Sequence, residues 1–280
     1  MRKFLALLFL CTCLTAFIYP SDADKYLIDG KTAFDAKKYD EAIKDFDKAI
    51  SLDPKNAEAY AGRGIAKGML DDHAGVIKDF NTVIELSPKD AMAYFNRGNA
   101  KQILGEHTGA IKDFNMAIEL NPKHIQAYAG RGVAKDILGY HTGAIKDLST
   151  AIELNPKYEY AYCGRGITKC NLGDYTSAIK DFNKAIELDP KDTGAYLNRG
   201  LAKGNLGDYG GAIQDFNKTI EMNPDCSVAY FNRGIAKERL KDYSGAVEDL
   251  NKGKVYGGIK THIIILLLKI KLVIIHWTKG

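Results

Sequence analysis

His73, His107 and His141 recur at intervals of 34 residues in this 280-residue chain, and regularly spaced imidazoles raise metal binding first. If the interval is one structural repeat of packed helices, equivalent atoms lie about 8–10 Å apart. A single zinc ion needs nitrogens at about 2.0–2.1 Å, so such a ladder cannot converge on one metal. Tyrosines hold the same place at Tyr39, Tyr175, Tyr209 and Tyr243, which favours a packing role. Nucleophilic chemistry finds no better support. No serine, histidine and acid set stands out, and no cysteine has a neighbouring histidine. Cys163 and Cys170 are seven residues apart on one predicted helix, about 10 Å along its axis, too far for a disulfide. With Cys226 they make an odd, scattered set that reads as small packing residues. The stretch AGRGIAKG (61–68) lies inside a helix and follows no strand, so it is no phosphate loop. Asn217-Lys218-Thr219 fits a glycosylation triplet but falls in the middle of a helix. The expectation is a non-catalytic protein with no metal and no cofactor.

The elements that position these residues come from self-similarity. Pro54, Pro88, Pro122, Pro156, Pro190 and Pro224 keep a period of 34, as do seven tyrosines from Tyr26 to Tyr230 and seven glycines from Gly30 to Gly234. Seven units follow without insertions: 23–56, 57–90, 91–124, 125–158, 159–192, 193–226 and 227–260. Within a unit the apolar spacing writes two amphipathic helices. In the third, AMAYFNRGNAKQILG ends at Gly105, and HTGAIKDFNMAIELN is closed by Pro122. Glycine at position eight and alanine at position twenty (Val76 in the second unit) allow the two helices to approach closely. A lone hairpin cannot bury its apolar face, so stacked neighbours supply the core.

The tyrosine, glycine, tyrosine or histidine, alanine, phenylalanine, alanine and proline at these offsets resemble the tetratricopeptide repeat over about 85% of the chain. That resemblance implies an all-α, right-handed superhelical solenoid of antiparallel helix pairs, whose concave face is lined chiefly by first helices. It implies a scaffold that binds a protein or an extended peptide. By the same resemblance, positions two, five, six, nine, twelve and thirteen face the groove. Phe95, Asn96, Asn99, Tyr160, Asn198, Asn205, Phe231, Asn232 and Arg239 are then the candidate contacts, aromatic anchors with amides for a guest backbone. The alternative is that these residues only solvate or pack the groove. Asn96 and Asn99 echo the carboxylate clamp of chaperone-binding members, but its lysines and arginine are missing from neighbouring units.

Charges repeat as strictly as the apolar residues. Arginine holds position seven in six units (Arg63, Arg97, Arg131, Arg165, Arg199, Arg233), and aspartate holds position twenty-three in all seven (Asp45, Asp79, Asp113, Asp147, Asp181, Asp215, Asp249). Either both sets are solvated, or they pair through bidentate geometry and fix the repeat register. Only the first unit lacks the arginine, carrying Asp29, and only it has no predecessor. Pairing with the preceding unit, Arg63 with Asp45 through Arg233 with Asp215, explains that absence. Lysine follows each arginine by four residues, from Lys67 to Lys237, and is expected to lay its stem on apolar surface with the ammonium in water.

Both ends depart from the repeat. Arg2 and Lys3 precede an apolar run, Phe4 to Tyr19, closed by Pro20 and small residues. This pattern predicts export to a secreted, periplasmic or lumenal compartment through a signal peptide or uncleaved anchor within 1–22. Cys11 and Cys13 raise lipid attachment, with Leu10 and Thr12 as poor predecessors. At the other end the array (23–256) gives way to an apolar tail, 257–280. It is open between a membrane span burdened by Lys269 and Lys271, a cover for the last repeat's exposed face, and a shifted reading frame. The alternative function is therefore a membrane-associated assembly factor tethered to an envelope complex by its apolar ends. Without Arg2, Lys3, Lys260, Lys269, Lys271 and Lys279, residues 23–256 hold 33 basic and 34 acidic side chains. That balance lacks the basic stripe that phosphate binding needs, so no nucleic-acid partner is expected.

Overall fold

A computed structural model describes residues 21–279; the expected signal or anchor at 1–22, apart from its last two residues, lies outside them. The described chain holds fourteen helices: α1 (Asp22–Asp35), α2 (Tyr39–Leu52), α3 (Ala57–Gly68), α4 (His73–Leu86), α5 (Ala91–Ile103), α6 (His107–Leu120), α7 (Ile125–Ile137), α8 (His141–Leu154), α9 (Glu159–Asn171), α10 (Tyr175–Leu188), α11 (Thr193–Asn205), α12 (Tyr209–Met222), α13 (Ser227–Arg239) and α14 (Tyr243–Lys279). They form two compact units, Met1–Ala134 and Lys135–Gly280, a division inside α7 that the uninterrupted sequence period does not announce.

Each unit is a stack of antiparallel hairpins whose helix ends are written locally. Side chains of Asn56, Asp90 and Asp192 accept backbone N–H bonds at the starts of α3, α5 and α11, and Asp72, Asp174 and Asp208 do so for second helices. Ser21 and Asp24 close a reciprocal capping box on α1. Between the two helices of a hairpin, Gly105, Gly139, Gly173 and Gly207 adopt φ near +80°, a left-handed conformation that favours glycine and that Lys37, Asp71 and Lys241 take at the equivalent place in other hairpins.

The core lies between layers. Phe182 of α10 is fully buried, and its ring lies over Gly166 of α9, where an added Cβ would sit 2.7 Å from the ring. Ala178, Phe182 and, from the next hairpin, Ala202 form one buried cluster, flanked by Cys163, Ile167, Cys170, Tyr175 and Ile179. In the first unit Ala110, Phe114, Ala117 and Ala127 repeat the arrangement.

The second half of the tail packs on the last hairpin. Tyr243 and Lys271 both belong to α14, and 28 residues of straight helix would place them about 42 Å apart. Instead Lys271 Nζ lies 5.4 Å from the Tyr243 ring centre and 3.3 Å from Glu238 Oε1, so the segment around Lys271 lies back against the start of α14 and the end of α13. Ile265 and Leu268 are buried with Ala246 and Leu250, flanked by Phe231, Ile235, Tyr243 and Val247. These are the repeat positions that cluster around Ala202 two hairpins earlier. The tail thus stands where a following first helix would, and covers the last hairpin. Among the described residues no helix is long and apolar enough to cross a membrane.

Candidate functional site

Three clefts open on the first-helix side, each between successive first helices. In the first unit a cleft of about 420 Å³ is lined by Lys31, Phe34, Asp35, Glu58, Ala61 and Gly62 among others. A second, about 220 Å³, is lined by Gly68, Met69, His73, Asn96, Asn99 and Ile103. In the second unit a cleft of about 200 Å³ is formed by Gly204, Asn205, Tyr209, Asn232, Ile235 and Arg239. The last two share a plan. Glycine occupies position twelve, where other hairpins carry Phe34, Gln102, Asp136, Cys170 or Glu238. The missing side chain leaves the hollow, and an asparagine from position six of the next hairpin walls it. Asn232 Nδ2 donates to the Val228 carbonyl and Asn205 Nδ2 to that of Leu201, which leaves each amide oxygen to accept a guest N–H.

Of the residues expected from sequence, Asn96 and Asn99 meet in the second cleft, and Asn205, Asn232 and Arg239 in the third. Asn198 Nδ2 is bonded to the Gly194 carbonyl, and Tyr160 is exposed beside Tyr158. The two phenylalanines are set differently from free anchors. Phe95 packs on Phe114 and on the His124 ring at 4.8 Å, and Phe231 is half-buried under the tail's cluster. Sequence reading passed over Phe34, Gly62, Gly68 and Gly204. The signal was present as glycines at positions six and twelve, visible only by comparing hairpins for what is missing.

The repeated charges form a buried network, with different partners from those expected. Arg63 does not pair with Asp45. Its Nε and Nη2 donate to Asp79 of its own hairpin at 3.0 and 2.6 Å, and Nη1 reaches Asp47 of the preceding one at 2.6 Å. Arg97, Arg165, Arg199 and Arg233 repeat this with Asp113, Asp181, Asp215 and Asp249, and reach back to Asn81, Ser149, Asn183 and Asn217. The reason is register: glycine at position eight meets the aromatic sixteen residues on, so position seven meets the aspartate sixteen residues on. Asp45 is not stranded, because it is partly exposed and pairs with Lys48. The lysines also differ from expectation. Lys67, Lys101, Lys135, Lys169, Lys203 and Lys237 place their ammonium groups 2.6–2.9 Å from the aspartates rather than in water. Burial opposes the Arg63 charge, but its bonds to Asp79 and Asp47 outweigh that and raise its pKa. Burial also works against the Asp249 carboxylate, and bonds from Arg233 and Lys237 overcome it and hold its pKa low.

The remaining chemical candidates are quiet. Burial pushes the Cys163 thiol up to about 12 and the Cys170 thiol up to about 11, so neither supplies thiolate at neutral pH. Among the described residues no three His, Cys, Asp or Glu side chains gather at one point. His73, His107 and His141 each open a second helix, and His141 Nδ1 lies 2.7 Å from Asp136 Oδ1.

His124 takes the cap position of α7, with Nδ1 accepting from the Ala127 N–H at 3.4 Å. The proton then sits on Nε2, which is buried without a partner, and burial lowers the pKa. A lowered folded pKa means that the unfolded chain binds more protons, so stability is lost as pH falls below about 6.5. The cause is that protonation would charge a buried imidazole and remove the acceptor that holds the Ala127 N–H. His124→Asn, the residue at the equivalent Asn56, is expected to remove this loss between pH 7 and 5 in urea titrations. An unchanged pH slope in the variant would assign the acid sensitivity elsewhere.

Comparison with known proteins agrees with this geometry. Models of the tetratricopeptide repeat match residues 30–71, 91–124, 125–158, 168–207 and 194–226. A tetratricopeptide repeat protein from Parabacteroides merdae superposes with TM-score 0.69 at 21% identity, over 90% of this chain and 100% of its own. MamA protein gives 0.56 at 27% identity, over 61% of this chain and 93% of its own. YrrB, described as having an unusual peptide-binding site, gives 0.55 at 24% identity over 68% and 97%. No curated protein sequence matches the chain.

Proposed function

Because the chain belongs to the tetratricopeptide repeat family, we propose that it is a non-catalytic scaffold that holds an extended segment of a partner protein in its glycine-floored clefts. The observation that carries this is the repeated plan of the second and third clefts, a hollow at a glycine of position twelve walled by an asparagine of the next hairpin. Such a pair suits a peptide in strand-like conformation, with a side chain in the hollow and its N–H on the amide. Arg239 adds one exposed positive charge to the third cleft. The described peptide site of YrrB supports the general mode, and the pattern of residues 1–22 supports an exported location.

Cleft filling tests the reading. Gly68→Phe and Gly204→Phe introduce the side chain that Phe34 supplies in the first hairpin. The added atoms have room: the Cβ would meet Val76 at 3.4 Å and Ala212 at 4.0 Å respectively. Peptides selected on the wild-type chain from a displayed random library are expected to lose about tenfold or more in affinity for the filled variants, with helicity unchanged. Equal affinity would remove the clefts as the site.

A further inference from the structure

The second half of α14 has two apolar faces, and the last hairpin uses only one. Ile265 and Leu268 are buried, and Ile264 and Leu272 are half-buried. On the opposite side Leu266, Leu267 and Ile270 are 59%, 54% and 48% exposed. Three large apolar side chains within about one turn form a ridge, unlike the scattered apolar residues of an ordinary surface.

Charge says what the ridge meets. From Leu250 to Gly280 the chain carries six lysines, Lys252, Lys254, Lys260, Lys269, Lys271 and Lys279, and neither aspartate nor glutamate. Residues 23–249 are the reverse, with 31 basic and 34 acidic side chains. At about 100° per residue, Lys269 and Lys271 fall on either flank of the ridge. Lys269 is exposed, and Lys271 is anchored by Glu238 and the Tyr243 ring. An apolar ridge between lysines on a helix that lies flat is the pattern that seats in the headgroup region of a membrane.

We propose that the outward face of the C-terminal helix docks on an anionic lipid surface, with Leu266, Leu267 and Ile270 inserted and Lys269 at the headgroups. A second copy is the poorer occupant, because tail-to-tail packing brings together two six-lysine segments that hold no acidic side chain of their own. Leu266, Leu267, Lys269 and Ile270 line none of the three clefts, so the two readings fail separately.

The test uses the full chain with sedimentable vesicles of phosphatidylcholine, alone or containing phosphatidylserine. Binding is expected to rise with phosphatidylserine and to fall with added salt. The triple variant Leu266→Gln, Leu267→Gln, Ile270→Gln is expected to lose about 100-fold in affinity for the anionic vesicles, from the apolar area removed. Lys269→Gln is expected to lose about fivefold. All four side chains are exposed, so circular dichroism and thermal unfolding should be unchanged, and any binding by residues 4–19 is common to every variant. Equal binding of the wild type to both vesicles, or undiminished binding by the triple variant, overturns the proposal. So does a lipid-free, concentration-dependent dimer that the triple variant abolishes, which would give the ridge to a second copy.

Discussion

Replacing Asp181 with alanine is expected to lower the unfolding free energy of its hairpin by about 3–5 kcal/mol, the cost of stranding one side of a buried ion pair. Asp181 accepts from Arg165 Nε and Nη2 at 3.0 and 2.8 Å and from Lys169 at 2.6 Å, and its side chain is 6% exposed. The variant leaves two cations, each about one-fifth exposed, facing a void. Asp45→Ala in the first hairpin is the contrast. Its partner Lys48 is exposed, so the loss should stay within about 1 kcal/mol. Urea denaturation with hydrogen exchange resolved by hairpin separates the two, since repeat arrays lose strict two-state behaviour. Similar small losses in both would mean that the buried network contributes no more than surface charges do. Replacing Arg165, Lys169 and Asp181 together with apolar residues of similar volume should restore much of the stability, because the desolvation cost leaves with the charges.

Phe182→Ala carries an expected loss of the same size, about 3–5 kcal/mol, for a different reason. The ring is fully buried, and the helix backbone at Gly166 lies directly over it. The two helices are spaced by that ring, so the hairpin cannot collapse to fill the cavity. Gly166→Leu alone should cost about 1–3 kcal/mol through overpacking, since its Cβ would sit 2.7 Å from the ring. Combined with Phe182→Ala, the leucine has the vacated space to enter, and the double variant should lose less than the two single losses added. Strict additivity in a double-mutant cycle would show that these positions do not share one volume.

Much of the fold was legible because it is periodic. Proline, tyrosine and glycine at fixed offsets specify a hairpin, and its repetition specifies the neighbour that buries its apolar face. The clefts were only half legible. Asn96, Asn99, Asn205, Asn232 and Arg239 could be placed by repeat position, but a hollow is made by atoms that are absent, at Gly68 and Gly204. Phe95 shows the converse: repeat position places an aromatic at the groove, and only the structure sets Phe114 and His124 against its ring.

The sequence by itself determined the helix pairs, their caps and their order, since these depend on residues a few positions apart. It also showed that arginine, lysine and aspartate recur together. Only the tertiary structure decided which partner each takes, because two candidates lay at similar sequence distance and only the contact of position eight with position twenty-four sets the register. The same holds for the last segment, where apolar composition suits a bilayer and a protein face equally. Its fate turned on the face that Phe231, Ile235 and Leu250 leave uncovered, a surface created by packing and written in no single stretch of the chain.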